Sequence, residues 1–176
     1  MITHIEGKLI EKTPTYVVVD VNGMGYKIKI SLQTFSAING ERCKLFTHLS
    51  VKEDSHTLYG FYDESERHLF RNLISVSGVG PSTAQVILST FNPEEIVHHI
   101  ATADVKMVQS VKGIGAKTAQ RIIIDLKDKV AKGLPTSDLL FDSLDNTIKK
   151  EALSALIALG FAKKGAESKI NKVIKS

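Results

Sequence analysis

The chain has 176 residues, 43% apolar and 24% charged, with a net charge of +4 and a pI near 9.1. This is the make-up of an ordinary globular protein of one to three domains, with no run of about eighteen apolar residues to span a membrane and too little excess charge to hold nucleic acid by bulk attraction. The lone Cys43 excludes an internal disulfide, and the six histidines show no metal-ligand spacing with it or with each other.

In chain order, the first twelve residues lack the basic start, apolar stretch and cleavage site of a signal peptide, so with Cys43 the expectation is a cytoplasmic protein. Residues 1–62 read as strands. "TYVVVDV" alternates through Val17, Val19 and Val21, "YKIKI" through Tyr26, Ile28 and Ile30, and "RCKLFTHLSV" through Cys43, Leu45, Leu49 and Val51; "HTLYGFY" follows. Asn22 and Gly23 in "NGMG" tolerate positive φ and mark a hairpin turn. With residues 2–10 this gives about five short strands, the number in a small closed barrel such as the OB-fold.

From Asp63 the apolar period changes to helical. "DESERHLFRNLISV" puts Leu69, Leu73 and Val76 on one face. "NPEEIVHHIAT" opens with Asn92 at the cap, Pro93 at the first position and two glutamates in the first turn. "ADVKMVQSV" and "AKTAQRIIIDLKDKVAK" continue in helices, so 63–132 reads as all-helical. Residues 133–146, with Gly, Pro, two serines and three acids, read as a linker. Residues 147–176 form a short helical unit with Leu153, Leu156 and Ile157 in phase, Gly160 as a helix stop and Phe161 beyond it. Some thirty residues fall short of the roughly 40 usually needed to fold alone, which suggests a tethered interaction module.

The chemistry-bearing feature is a repeat. "VSGVGPSTAQVIL" at 76–88 returns 35 residues later as "VKGIGAKTAQRII" at 111–123, identical at seven of thirteen positions. Paired glycines let a backbone turn sharply and approach a ligand, and the amides at the following helix start favour an anion. A nucleotide loop fits poorly. Ala116 stands where the Walker pattern needs Gly before Lys117, and Thr118 stands where the dinucleotide pattern needs a third Gly. A single such turn reads as a packing corner between helices; two in tandem suit a ligand with repeating phosphates.

The two stretches "GVGPSTA" and "GIGAKTA" resemble tandem helix–hairpin–helix motifs, which grip DNA phosphates through backbone amides. Together with "MITHIEGKLIEK", "VVVDVNGMGYKI", "VKEDSHTLYGFYDESERHLFRNLISVSGVGP" and "EALSALIALGF", they make the whole chain similar to the RuvA family of Holliday junction DNA-binding subunits. The resemblance implies a multidomain α+β chain: an OB-fold barrel at 1–62, a tandem helix–hairpin–helix domain at 63–132, a flexible linker at 133–146, and a three-helix, UBA-like domain at 147–176. It implies structure-selective, sequence-independent binding of four-way junctions in recombination and repair, with no catalytic residue, cofactor or metal in this chain. The implied partners are the junction DNA, the hexameric motor ATPase RuvB, the resolvase RuvC, and further copies of the chain as a homotetramer or octamer.

Carried over residue by residue, Gly78, Val79 and Gly80 form one phosphate hairpin with Ser82, and Gly113, Ile114 and Gly115 form the other with Lys112, Lys117, Thr118 and Arg121. Two departures leave the gripping side chains open: Ser82 stands where a lysine is common, and Lys112 and Ala116 where proline and lysine are common. Glu53 and Asp54 match the family's acidic pin, whose carboxylates repel phosphates at the junction centre. Leu153, Leu156, Leu159 and Phe161 match the motor-binding tail, though some leucines must form that unit's own core. Phe46, Tyr59 and Phe61 fit either base stacking or, more simply, the barrel core or a subunit contact. The adjacent pair His98 and His99 reads as helix surface. Two rivals remain: a helix–hairpin–helix glycosylase or nuclease, for which Asp125 is the nearest candidate acid, and a single-strand or RNA binder built on the barrel.

Overall fold

A computed structural model describes residues 2–131, together with Leu156, Phe161 and Gly165. Five strands close a barrel in the order β1-β2-β3-β5-β4: β1 (His4–Lys12), β2 (Tyr16–Val21), β3 (Met24–Ile30), β4 (Arg42–Val51) and β5 (His56–Phe61). All pairs are antiparallel except β3 with β5. The alternating side chains set the inside of the barrel. Val17, Val19, Ile28, Ile30 and Leu45 are buried, while Lys27 and Lys29 point out. The β2–β3 turn holds Asn22 at φ 54° and Gly23 at φ 86°, the two positive values the "NG" pair supplies cheaply.

One element departs from the all-strand reading of 1–62. Helix α1 (Leu32–Ala37) forms the connection between β3 and β4. At six residues it has under two turns in which a helical period could show. Ser31 starts it, its hydroxyl accepting from the Thr34 amide at 3.0 Å.

The helical part follows as α2 (Glu64–Ile74), α3 (Pro81–Thr90), α4 (Pro93–Ala101), α5 (Val105–Gln109) and α6 (Ala116–Ala131). Helix α4 carries the expected cap in full: Asn92 Oδ1 accepts from the Glu95 amide at 2.8 Å, and the Asn92 amide donates to Glu95 Oε2 at 2.9 Å. Of its two histidines, His98 is exposed, but His99 is half-buried against the Phe91 ring at 5.2 Å and so is not plain surface. Helix α2 stops at Ile74, and Val76, expected on its face, is instead buried in the turn that follows.

The barrel interior (Ile5, Val17, Val19, Ile28, Ile30, Ile38, Cys43 and Leu45) forms one core, and the helices form a second that β5 enters. Tyr59 and Phe61 of β5 cluster with Leu69, Phe70 and Leu73 of α2 and on through the helices to Leu126. The Phe70 ring lies 4.9 Å from Phe61, 5.1 Å from Tyr59 and 5.4 Å from His48. Tyr59 and Phe61 are therefore core residues and closed to base stacking; Phe46 is half-buried with the Arg67 guanidinium 5.2 Å above its ring.

A buried polar joint locks the same seam. Glu66, 3% exposed, accepts hydrogen bonds from the Ser31 hydroxyl and from Thr34 Oγ1 at 2.6 Å, and Thr34 Oγ1 in turn accepts from the Tyr62 amide at 3.0 Å. Burial pushes the Glu66 carboxyl above the usual range, an effect the two hydroxyl donors oppose and the Asp63 charge reinforces. Nearby, Arg67 binds Glu64 and donates to the Thr3 carbonyl at 2.8 Å.

Candidate nucleic-acid interface

Two hairpins, Ser75–Gly80 between α2 and α3 and Ser110–Gly115 between α5 and α6, are built to one plan. In the first, the Val76 amide donates to the Leu73 carbonyl at 3.1 Å and the Val79 amide to the Val76 carbonyl at 3.0 Å. In the second, Val111 donates to Val108 at 3.4 Å and Ile114 to Val111 at 3.1 Å. Ser75 Oγ donates to the Asn72 carbonyl and Ser110 Oγ to that of Met107, both at 2.7 Å. Gly78 and Gly113 both sit at φ 90°. Every feature recurs at the 35-residue spacing of the repeat.

The apolar residue between each pair of glycines is the anchor. Val79 and Ile114 are 5% and 6% exposed and fix each turn to the core, as do Ala84 and Ala119 one helical turn later. The glycines outside the anchor remain open to solvent. Among the described residues the amides of Gly78, Gly80, Ser82 and Thr83, and those of Gly113, Gly115, Lys117 and Thr118, have no hydrogen-bond partner in the protein. Each hairpin thus aims unpaired N–H groups outward at the positive end of a helix, the arrangement that binds a phosphate oxygen.

The structure also places the expected side chains. Lys112 and Lys117 are exposed at the second hairpin, Ser82 is exposed at the first, and Thr118 is half-buried. Arg121 turns towards the other hairpin: Nη1 donates to the Ser77 carbonyl at 3.4 Å. Lys129, two turns further along α6, donates to Ser75 Oγ at 3.1 Å. Lys129, Ser75 and Ser77 were not among the sequence candidates. The spacing of 121 and 129 on one face of α6 was readable, but their target, largely a backbone carbonyl, carries no sequence signal. Asp125 is exposed on the same helix with no carboxylate cluster around it among the described residues.

The β4–β5 turn, Lys52–Ser55, is closed by the Lys52 amide donating to the Ser55 carbonyl at 2.9 Å, which leaves Glu53 and Asp54 exposed at its tip. Helix α2, which leads to the first hairpin, packs on the two strands that flank this turn. Arg67 lies over the Phe46 ring of β4, and Phe70 packs on Phe61 and Tyr59 of β5 and on His48 of β4.

Of the tail residues, Leu156 is helical and half-buried, and its carbonyl accepts from the Phe161 amide at 3.0 Å, a span that closes a helix end. Phe161 is 56% exposed. Leu153, Leu159, the linker and the three-helix unit lie outside the described residues. No helix among the described residues is long and apolar enough to cross a membrane.

Comparison with known proteins agrees with this geometry. The family described as "RuvA N terminal domain" matches residues 1–60, and that described as "SAM-like Helix-hairpin-helix tandem" matches residues 70–128. Among curated relatives, the Holliday junction branch migration complex subunit RuvA of Christiangramia forsetii is 58% identical over 99% of this chain and 91% of its own length. The proteins of the same name from Flavobacterium psychrophilum and Bacteroides fragilis are 53% and 43% identical, each over 99% of this chain and 90% or 91% of their own. A barrel and a duplicated phosphate hairpin in this order, with relatives so similar along the full chain, leave one conclusion: the chain belongs to the RuvA family.

Proposed function

We propose that this protein binds four-way DNA junctions by their shape and phosphates, without reading bases, and serves as the DNA-holding subunit of a branch migration complex. The observation that carries this reading is the pair of hairpins, whose solvent-facing amides are backbone groups and so offer phosphates the same contact at any sequence. The exposed carboxylates of Glu53 and Asp54 at the β4–β5 turn support a junction over a plain duplex, because they repel phosphates. Relatives named as branch migration complex subunits support a motor partner; we assign that role to RuvB, engaged through Leu153, Leu156, Leu159 and Phe161. Lys112, Lys117, Thr118 and Ser82 flank the hairpins as accessory contacts. A homotetramer gives one subunit per arm, a second tetramer would enclose the junction from its other face, and RuvC is the resolvase expected to share the site.

Gel shifts with the purified chain test the reading. A synthetic four-way junction should bind at least tenfold more tightly than duplex or single strand of equal length, with affinity falling steeply as salt rises. Equal affinity for junction and duplex would overturn it, and preference for single strands would favour a barrel-based binder. Replacing Glu53→Gln with Asp54→Asn is expected to raise duplex affinity by roughly three- to tenfold, the scale of one or two solvated charge repulsions, and to narrow the junction preference. Unchanged selectivity in the same assay would mark the pin as an ordinary turn.

A further inference from the structure

The two hairpins share a backbone but differ in charge. At equivalent places the second carries Lys112, Lys117 and Arg121, and the first carries Ser77, Ser82 and Val86. The 34 residues between Arg71 and Lys106 contain no lysine or arginine at all, while Glu94, Glu95 and Asp104 lie among them. The first hairpin therefore has bare amides and no cation from its own repeat. Yet Arg121 Nη1 donates to the Ser77 carbonyl, directly before Gly78, and Lys129 Nζ donates to Ser75 Oγ. Among the described residues neither base forms an ion pair with Asp125, which lies between them on α6. The guanidinium keeps four further N–H groups after its one bond to the carbonyl, in a plane suited to a phosphate.

From this placement we propose that Arg121, although it belongs to the second hairpin's helix, supplies the positive charge of the first hairpin and sets the affinity of that hairpin for phosphate. Lys129 holds the base of the same turn. The helix α6 thus serves two phosphate sites: its N-terminus and Lys117 complete the second, and its side face completes the first. The inference rests on the proposed function, since it assigns a role within that same site.

A double-mutant cycle in junction binding by the full chain tests it, using Arg121→Ala, Ser82→Lys and the two combined, with thermal melts to confirm that each is folded. Arg121→Ala should weaken binding roughly tenfold and lower the slope of log affinity against log salt by about one, the signature of one lost phosphate contact. Ser82→Lys gives the first hairpin a cation of its own. It should restore most of the lost affinity and the slope in the Arg121→Ala background, a larger factor than its effect on the parent protein. If Ser82→Lys helps both backgrounds by the same factor, or if Arg121→Ala leaves the slope unchanged, Arg121 does not serve the first hairpin. A parent protein with no preference for the junction would instead remove the proposed function itself.

Discussion

Valine at both Gly80 and Gly115 should cost on the order of a hundredfold in junction affinity, about 3 kcal/mol, while leaving the protein folded. The two pairs of glycines do different work. Gly78 and Gly113 sit at φ 90°, which an L-residue adopts only with strain, so alanine there should destabilise the fold by about 1–2 kcal/mol per site. Gly80 stands at φ −86° and ψ 168°, an ordinary extended conformation, and a Cβ added at Gly80 or Gly115 meets nothing within 4 Å. The protein itself has no need of glycine at 80 and 115. Under the proposed function the requirement comes from outside: a branched side chain there pushes off a phosphate that approaches the bare amides of the turn. Melting temperature and junction affinity, measured on the same preparations, separate the two pairs. A Gly80→Val, Gly115→Val protein that binds normally would remove the hairpins from the interface. The loss should also be equal across arm sequences, since no base is being read.

Glu66→Ala is expected to destabilise the described unit by about 3 kcal/mol, a fall of roughly 10 °C in melting temperature. The carboxylate is the acceptor for two buried hydroxyls, and removing it strands Ser31 and Thr34 at the seam between barrel and helices. The pH dependence follows from the direction of its shift. Burial raises the native pKa above 4.5, so the folded protein holds this proton more tightly than the unfolded chain. Its contribution to stability is full below the unfolded value and declines as pH rises towards the native one. Glu66→Gln, which cannot ionise, should lose that decline, and melts from about pH 4 upward on both proteins check it. A wild-type slope identical to that of Glu66→Gln would mean the carboxyl is not the titrating group.

The sequence exposed what is periodic or repeated. Val17, Val19, Ile28 and Ile30 announced strands because alternate burial writes a period of two into them. The hairpins were legible because each needs the same three things in order: a glycine at positive φ, an apolar anchor and a second open glycine. What stayed hidden depends on partners distant in the chain. Helix α1 is too short to show a period, and its cap Ser31 is completed by Glu66, 35 residues away. Tyr59 and Phe61 looked like barrel residues, yet they join the helical core because Phe70 lies over them. Arg121 was placed with its own hairpin, since nothing in a sequence marks a backbone carbonyl 44 residues earlier as its acceptor.

The core that runs without a break from β5 through Phe70 to α6 has a mechanical meaning. Because β5 itself enters that core, the strand that follows the acidic turn and the helices that carry the hairpins are packed into one another, and under the proposed function carboxylates and phosphate-facing amides are carried by joined elements. Under the proposed function, DNA drawn past such joined elements is the part that bends, opens or slides.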